Sequence, residues 1–336
     1  TTMRYPIRPA SDHYHPISQT FYVTPPQQPV QGGIKTVLRW LKAMTFDAPK
    51  YAPPAPLPSQ MPDWATFLQD DQPRLVWFGH SSVFIRIAGK TLLLDPVFSQ
   101  YASPIPLISR RYQAPPASLA QLPPVDYILY SHNHYDHLDQ TTVKHHIHSA
   151  TQFIVPLNLG TLLQKWGIPA QRIIELDWWQ HTAIGSLKIH AVPARHNSSR
   201  GWGDFNKTLW AGYIIQTPQH TLYFSGDSSY GSHYAQIQQR FPKIDLALVE
   251  NGQYNASWRD NHMHPEETAQ AIADLHAHRF MPIHWGMFSL AMHPWDEPVR
   301  RSIPLVRAQN IATLTPTLGQ VFTLDTPTSD WWEQVK

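Results

Sequence analysis

Four side chains able to bind a metal fall within six residues of this chain. They are His132, His134, Asp136 and His137, in the run Ser131-His132-Asn133-His134-Tyr135-Asp136-His137. Imidazole nitrogens and carboxylate oxygens are ordinary zinc ligands, and a catalytic zinc keeps one position open for water or substrate. Four donors in so short a run are too many for one tetrahedral ion with an open position. Two ions sharing the run relieve the crowding, and ions about 3.5–4 Å apart can hold a hydroxide between them. The chemistry this predicts is hydrolysis. Three more donors stand just after strand-like runs: His196 after residues 189–193, Asp227 after Tyr223-Phe224-Ser225-Gly226, and His284 after Met281-Pro282-Ile283. Donors at strand ends are held by a rigid scaffold, while the loops leave a metal open to substrate.

The elements that must position these donors can be read from residue 74 onward. Leu75–Phe78, Ser82–Ile87 and Thr91–Asp95 read as strands, with Ala88-Gly89-Lys90 as a hairpin turn. Val125–Tyr130 is a short, mostly apolar run that ends at the histidine cluster. Similar runs recur at Gln152–Val155, Leu187–Val192, Leu209–Gln216, Thr221–Ser225, Ile244–Val249 and Phe280–Ile283. A helix is predicted from His264-Pro265-Glu266-Glu267, because proline suits the first helical position and glutamates the first turn. Strand runs with helices between them predict an α/β (α+β) sandwich.

Residues 1–73 read differently, rich in Pro and Gln, and are expected to form an extension packing on or flanking a core domain at 74–336. Within the extension, Ile34, Val37, Leu38, Leu41 and Met44 recur with helical spacing, and Lys35, Arg39 and Lys42 lie on the other side. A helix packed on the main domain through that apolar face is expected. The sharper reading is a basic amphipathic helix that touches lipid.

The composition sets outer bounds. With 336 residues there is ample chain for a buried core. A formal net charge of +2 gives no support to nucleic-acid binding. No cysteine is present, which removes disulfides, Cys-based zinc sites and a thiol nucleophile. It fits the periplasm and the cytoplasm alike. The tract His145, His146 and His148 is expected on a solvated helix face.

The nine residues Ser131–Asp139, SHNHYDHLD, resemble the metal-binding signature of the metallo-β-lactamase superfamily. Gly79-His80, Leu94-Asp95-Pro96, Phe224–Ser228 and Ile283–Gly286 follow in that family's order. More narrowly, WFGHSSVFI, LLLDPVFS, FNKTLWAGY and HPEETAQAI are similar to the N-acyl-phosphatidylethanolamine-hydrolysing phospholipase D branch and its bacterial relatives. The likeness covers about residues 74–300 and implies the αββα sandwich of that fold.

Residue by residue, the resemblance implies one ion on His132, His134 and His196, and a second on Asp136, His137 and His284, with Asp227 bridging. Asp136 and Asp227 would thus serve catalysis. Asp95 would orient a ligand histidine, and His80 would border the site. His262, where the branch has an active-site histidine, is the favoured general acid. His264 would face the leaving group or a substrate phosphate. The loop Asn197–Asp204 departs from the mammalian phospholipases and is expected to border the substrate cleft.

The cofactors implied are two zinc ions, with iron or manganese as alternatives. The partners implied are a phospholipid or other small molecule, a membrane touched peripherally, and a second copy of the chain as a homodimer. An apolar mouth is expected from Ile34–Phe46, Tyr101–Tyr112 and Trp285–Trp295. The favoured activity is phosphodiester cleavage of phospholipase D type. A lactonase or amidohydrolase of the same fold is the alternative, because one scaffold hosts many chemistries. A non-hydrolytic di-iron protein is the third reading, since His and carboxylate also suit iron.

Overall fold

Short runs of Val, Ile, Leu, Phe and Tyr form strands here, and their strict alternation sorts side chains to two faces. The computed structural model of this chain describes residues 11–106 and 108–336. Strands β1 (Tyr14–His15) and β2 (Thr20–Phe21) make a small hairpin, followed by helices α1 (Gly33–Thr45) and α2 (Trp64–Phe67). Next come β3 (Arg74–Trp77), β4 (Val83–Ile87), β5 (Lys90–Leu94), β6 (Tyr127–Leu129), α3 (Gln140–His145), β7 (Gln152–Pro156), α4 (Gly160–Lys165) and β8 (Ile173–Leu176). The second half holds β9 (His181–Ile184), β10 (Leu187–Val192), β11 (Gly212–Gln216), β12 (Thr221–Phe224), α5 (His233–Arg240), β13 (Leu246–Glu250) and α6 (Pro265–Asp274). It closes with β14 (Arg279–Ile283), α7 (Glu297–Arg307), β15 (Ala312–Thr313) and β16 (Val321–Phe322).

Two seven-stranded sheets result, in the orders β16-β3-β4-β5-β6-β7-β8 and β15-β14-β13-β12-β11-β10-β9. Leu75, Leu92, Leu94, Leu129 and Ile154 of the first sheet share a buried core with Ile189, Tyr213 and Leu222 of the second. The intervening residues Val76, Leu93, Ile128 and Phe153 point the other way, onto Phe67 of α2, Val143 of α3 and Leu162 of α4. Behind the second sheet, Ile237 of α5, Ile272 of α6 and Ile303 of α7 are buried. The layers are therefore helix, sheet, sheet, helix, as expected for the metallo-β-lactamase sandwich.

Three expectations need correction. The helix at Ile34–Phe46 exists, but it is rotated: Thr36, Ala43 and Met44 are buried, whereas Ile34 and Leu38 are 71% and 59% exposed. It is held by polar contacts at its ends and on Trp40, whose Nε1 donates to the Leu290 carbonyl at 2.7 Å. Trp285 and Trp295 do not border an opening. They stack in the interior with Trp331, at 5.3 Å and 6.0 Å between ring centres. Of Tyr101–Tyr112, Leu107 lies outside the described residues, and Tyr101, Ser103 and Pro104 line a separate pocket with Arg200.

Candidate metal centre

The C-terminal ends of β6, β12 and β14 converge, and each carries donors. After β6 the chain turns tightly, with the His134 carbonyl accepting from the amides of His137 and Leu138. This turn sends His132, His134, Asp136 and His137 to one side. Asp227 follows β12 after the Ser225-Gly226 turn, and His284 follows β14 directly. His196 arrives from the loop after β10.

The donor atoms form four overlapping groups: Asp227, Glu250, His262 and His284 make one and Asp95, His132 and His137 another, and the remaining two carry the expected ligand sets. Of these two, His132, His134, His196 and Asp227 make one, and His80, Asp136, His137 and His284 make the other, with ligand atoms within 4.8 Å of each other in each group. In the first, Nδ1 of His134 lies 2.8 Å from His132 Nε2 and 3.2 Å from His196 Nε2. In the second, Nε2 of His284 is 3.2 Å from Asp136 Oδ2. Asp227 sits between them: its Oδ2 is 3.0 Å from His137 Nε2, 3.2 Å from His284 Nε2 and 3.6 Å from His196 Nε2. One carboxylate oxygen thus reaches both triads, as a bridging ligand must.

Two polar atoms show what the cluster is made for. Asp227 Oδ1 and His137 Nε2 are buried without an aligned hydrogen bond. Buried polar atoms are ordinarily satisfied, and leaving them unmatched is costly. Cations would match both. The donor set of imidazoles and carboxylates suits zinc, iron or manganese, so the residues fit a two-metal centre.

Charge is arranged accordingly. Burial, with the crowd of neighbouring imidazoles at His137, His134 and His196, holds His132 well below the usual histidine range. Burial likewise lowers His134 to about 4. Neutral imidazole is the form that ligates. Burial disfavours charge on His137 too, but the carboxylates of Asp227 and Asp136 overcome it and hold His137 well above its ordinary value. A metal cation would replace that proton as the carboxylates' counter-charge.

The surrounding residues fix the ligands. Asp95 is fully buried at the end of β5 and accepts from His137 Nδ1 at 2.8 Å and from the Ser131 amide at 2.7 Å. His80 meets Asp136 Oδ2 at 2.8 Å through Nε2 and bridges by its backbone to Trp285, beside His284. Glu250, at the end of β13, is fully buried and accepts a hydrogen bond from His262 Nδ1 at 3.0 Å. It also faces His284 Nδ1 at 3.5 Å. The Arg200 guanidinium stacks 3.8 Å from the Tyr135 ring and donates to the carbonyls of Asn133 and Leu138 at 3.1 Å and 2.7 Å, clamping the histidine turn from behind.

Beside the cluster opens a cleft of ≈ 290 Å³. His134, Asp136, Asp227, His262 and His284 form its floor, and Val30, Val37, Trp40, Trp258 and Leu290 supply apolar walls. His262 therefore faces the cleft. His264 does not: it caps the N-terminus of α6 and packs on Tyr254 at 4.8 Å, away from any leaving group. The loop 197–204 meets the cleft only through Asn197, whose Nδ2 donates to Oδ1 of cleft-lining Asn261 at 3.0 Å; Arg200, Gly201 and Asp204 line the separate pocket behind the metal turn.

Reading the sequence missed Glu250 and Arg200. Glu250 stands directly after the strand run Ile244–Val249, so the rule that strand runs end at polar ligands also points to it. Arg200 carried no such signal, because a cation is not a ligand type.

Known proteins are similar to this chain in sequence and in fold. Residues 90–285 match the family described as the β-lactamase superfamily domain. An uncharacterized protein of Mycobacterium tuberculosis is 40% identical over 275 residues, covering 80% of this chain and 73% of that protein. An N-acyl-phosphatidylethanolamine-hydrolyzing phospholipase D of Caenorhabditis elegans is 30% identical over 232 residues, covering 64% of each chain. Among solved structures, Igni18, a metallo hydrolase of Ignicoccus hospitalis, superposes with a TM-score of 0.60 over 76% of this chain and 99% of its own, at 18% identity.

Proposed function

Because this chain belongs to the β-lactamase superfamily and is a metal-dependent hydrolase of the metallo-β-lactamase fold, we propose that it cleaves N-acyl-phosphatidylethanolamine or a related phospholipid in the manner of a phospholipase D. The observation that carries this reading is the cleft, which joins an apolar wall to a floor of metal donors. A phosphodiester with a hydrocarbon tail needs both. The likeness to the nematode phospholipase supports it from a second side.

Metal ions held by the two triads, zinc in our reading, would lower the pKa of water and polarise a phosphoryl oxygen. The chain supplies the rest. Glu250 accepts a hydrogen bond from His262 Nδ1, so Nε2 is the atom that His262 turns to a ligand in the cleft. Cleavage of phospholipase D type breaks the bond between phosphorus and the N-acylethanolamine oxygen, and that oxygen must gain a proton. In its imidazolium form, with Nδ1–H on Glu250 and a second proton on Nε2, His262 is placed to donate that Nε2 proton as general acid. Asp227 keeps the two triads in register, and Trp40 with Leu290 excludes water from one side of the cleft.

The test is incubation of the zinc-loaded protein with N-acyl-phosphatidylethanolamine, following phosphatidic acid by mass spectrometry, with Asp227→Asn as the blank. Phosphatidic acid released only by the intact protein supports the proposal. No release from protein with zinc bound overturns it and moves a panel of lactones and small diesters to the front.

A further inference from the structure

Helix α1 wears its apolar residues on the outside. Ile34 and Leu38 are 71% and 59% exposed, and Val37, one turn on from Ile34, lines the cleft beside Trp40. At 100° per residue the faces follow in a fixed order around the helix. Ala43, Thr36, Trp40 and Met44 lie on the side towards the body of the protein, and Thr36 and Trp40 reach the cleft. Val37 follows at the edge of the cleft, then half-buried Leu41, then the outward Ile34 and Leu38, and then Lys42, Lys35 and Arg39. The apolar wall of the cleft thus runs without a break onto an outward apolar stripe, and a basic stripe borders it. No carboxylate occurs between Asp12 and Asp47.

Large exposed apolar residues grouped on one helix mark an interaction surface. The neighbouring cations select the partner. A helix with an apolar stripe flanked by lysine and arginine lies in a membrane interface, the stripe among the acyl chains and the cations among anionic headgroups. We infer that the outward face of α1 is a docking surface for an anionic bilayer, which brings the mouth of the metal cleft to the lipid. This rests on the phospholipid reading of the site for what enters the cleft. The size of the cleft agrees with it. At ≈ 290 Å³ the cleft stands at the lower end of the roughly 300–1,000 Å³ of ligand sites. It offers apolar wall to the part of a lipid next to the phosphodiester, and the rest of the long chains would lie beyond its mouth, where a bilayer takes them. No helix among the described residues is long and apolar enough to cross a membrane, so docking would be peripheral.

Co-sedimentation tests this without turnover. Sucrose-loaded vesicles of phosphatidylcholine alone, and of phosphatidylcholine with phosphatidylglycerol, are mixed with the metal-loaded protein and pelleted. The wild type is expected to pellet with the anionic vesicles, less with the neutral ones, and less at high salt. The pair Ile34→Glu and Leu38→Glu, on exposed sites outside the cleft, should lower partitioning more than tenfold with metal content and melting temperature unchanged. Each of Lys35→Gln, Arg39→Gln and Lys42→Gln should lower it about fivefold. Equal pelleting of wild type and the paired variant would overturn the inference. So would a wild-type dimer that ignores vesicles and falls apart in the paired variant, because the stripe would then cover a second copy. The vesicles lack the N-acyl headgroup, so failure to dock and failure to hydrolyse are separate results.

Discussion

Asp95 decides where His137 points. It ends β5 with a left-handed φ of 39°, a conformation asparagine and aspartate tolerate better than other side chains. Asp95→Asn therefore keeps the backbone while removing the charge that holds His137 Nδ1. Metal affinity should fall roughly 10–100-fold, the usual effect of losing a partner of a ligand histidine. Competition with a chromophoric chelator measures this, and an unchanged affinity would remove Asp95 from the centre. Glu250 and His262 behave differently, because His262 belongs to neither triad around Asp227. His262→Ala should lower kcat by about 10²–10⁴-fold, the range of a general acid, with both metals retained by elemental analysis. Glu250→Gln should fall between that variant and the wild type, since the imidazole stays but loses the acceptor that sets its tautomer. Loss of metal in His262→Ala would make it a ligand instead.

At the scale of elements, the turn between β12 and Asp227 must pass close to the turn after β6. Gly226 has φ 57°, and a Cβ there would meet Ser131 Cβ at 2.6 Å. Gly226→Ala should push the two metal-bearing turns apart, costing about 1–3 kcal/mol of stability as overpacking does and weakening metal binding along with it. Urea unfolding and chelator competition on the same preparation would show both; a variant as stable as the wild type would mean the turns can slide. Elements were legible in proportion to their burial. Leu187–Val192 was read with its true bounds, and the runs ending at His132, Asp227 and His284 were found because apolar residues fill both faces of buried strands. β9, His181–Ile184, was not seen. It is an edge strand with alternating exposed and half-buried residues, and its side chains look like those of a loop. The spacing in α1 revealed an apolar stripe but not which side the protein covers. That depends on Leu290, 250 residues from Trp40, and on Ser257, whose carbonyl accepts from the Gln31 amide just before the helix. Among the site residues, those of ligand type at strand ends were visible as a pattern. Arg200 and the displacement of His264 from the cleft exist only once the loops are folded.

For the whole molecule, histidines outside the metal-donor groups tie stability to pH. Burial, then the nearby His145 and Arg172, lowers His146 to about 4. Burial, then His181 and Lys188, lowers His190 to about 4. Burial and Arg195 lower His233 to about 3. Each stays neutral in the fold while the unfolded chain takes up a proton near 6.5. Their contribution is therefore complete above pH 6.5 and is lost as the pH falls towards 4 and 3, about 2 kcal/mol by pH 5 for the fully buried His233 and less for the half-buried His146 and His190, whose shifts solvent screens. Thermal melts with a chelator present, which removes metal release from the balance, should show a melting temperature several degrees lower at pH 5 than at pH 7. An unchanged value would mean these rings are solvated.

The two sheets repeat one pattern of strand directions: reading each from one edge, three antiparallel neighbours are followed by three parallel ones. The chain crosses from one to the other only between β8 and β9, and again at the end, when β16 returns to pair with β3. A cut at the first crossing would leave two fragments of matching topology, and neither would be whole. The first would own His132, His134, Asp136 and His137; the second would own His196, Asp227, His284 and the strand that completes the edge of its partner's sheet. Such a molecule is suited to split-protein complementation, in which binding of the metal reports that the two pieces have found each other.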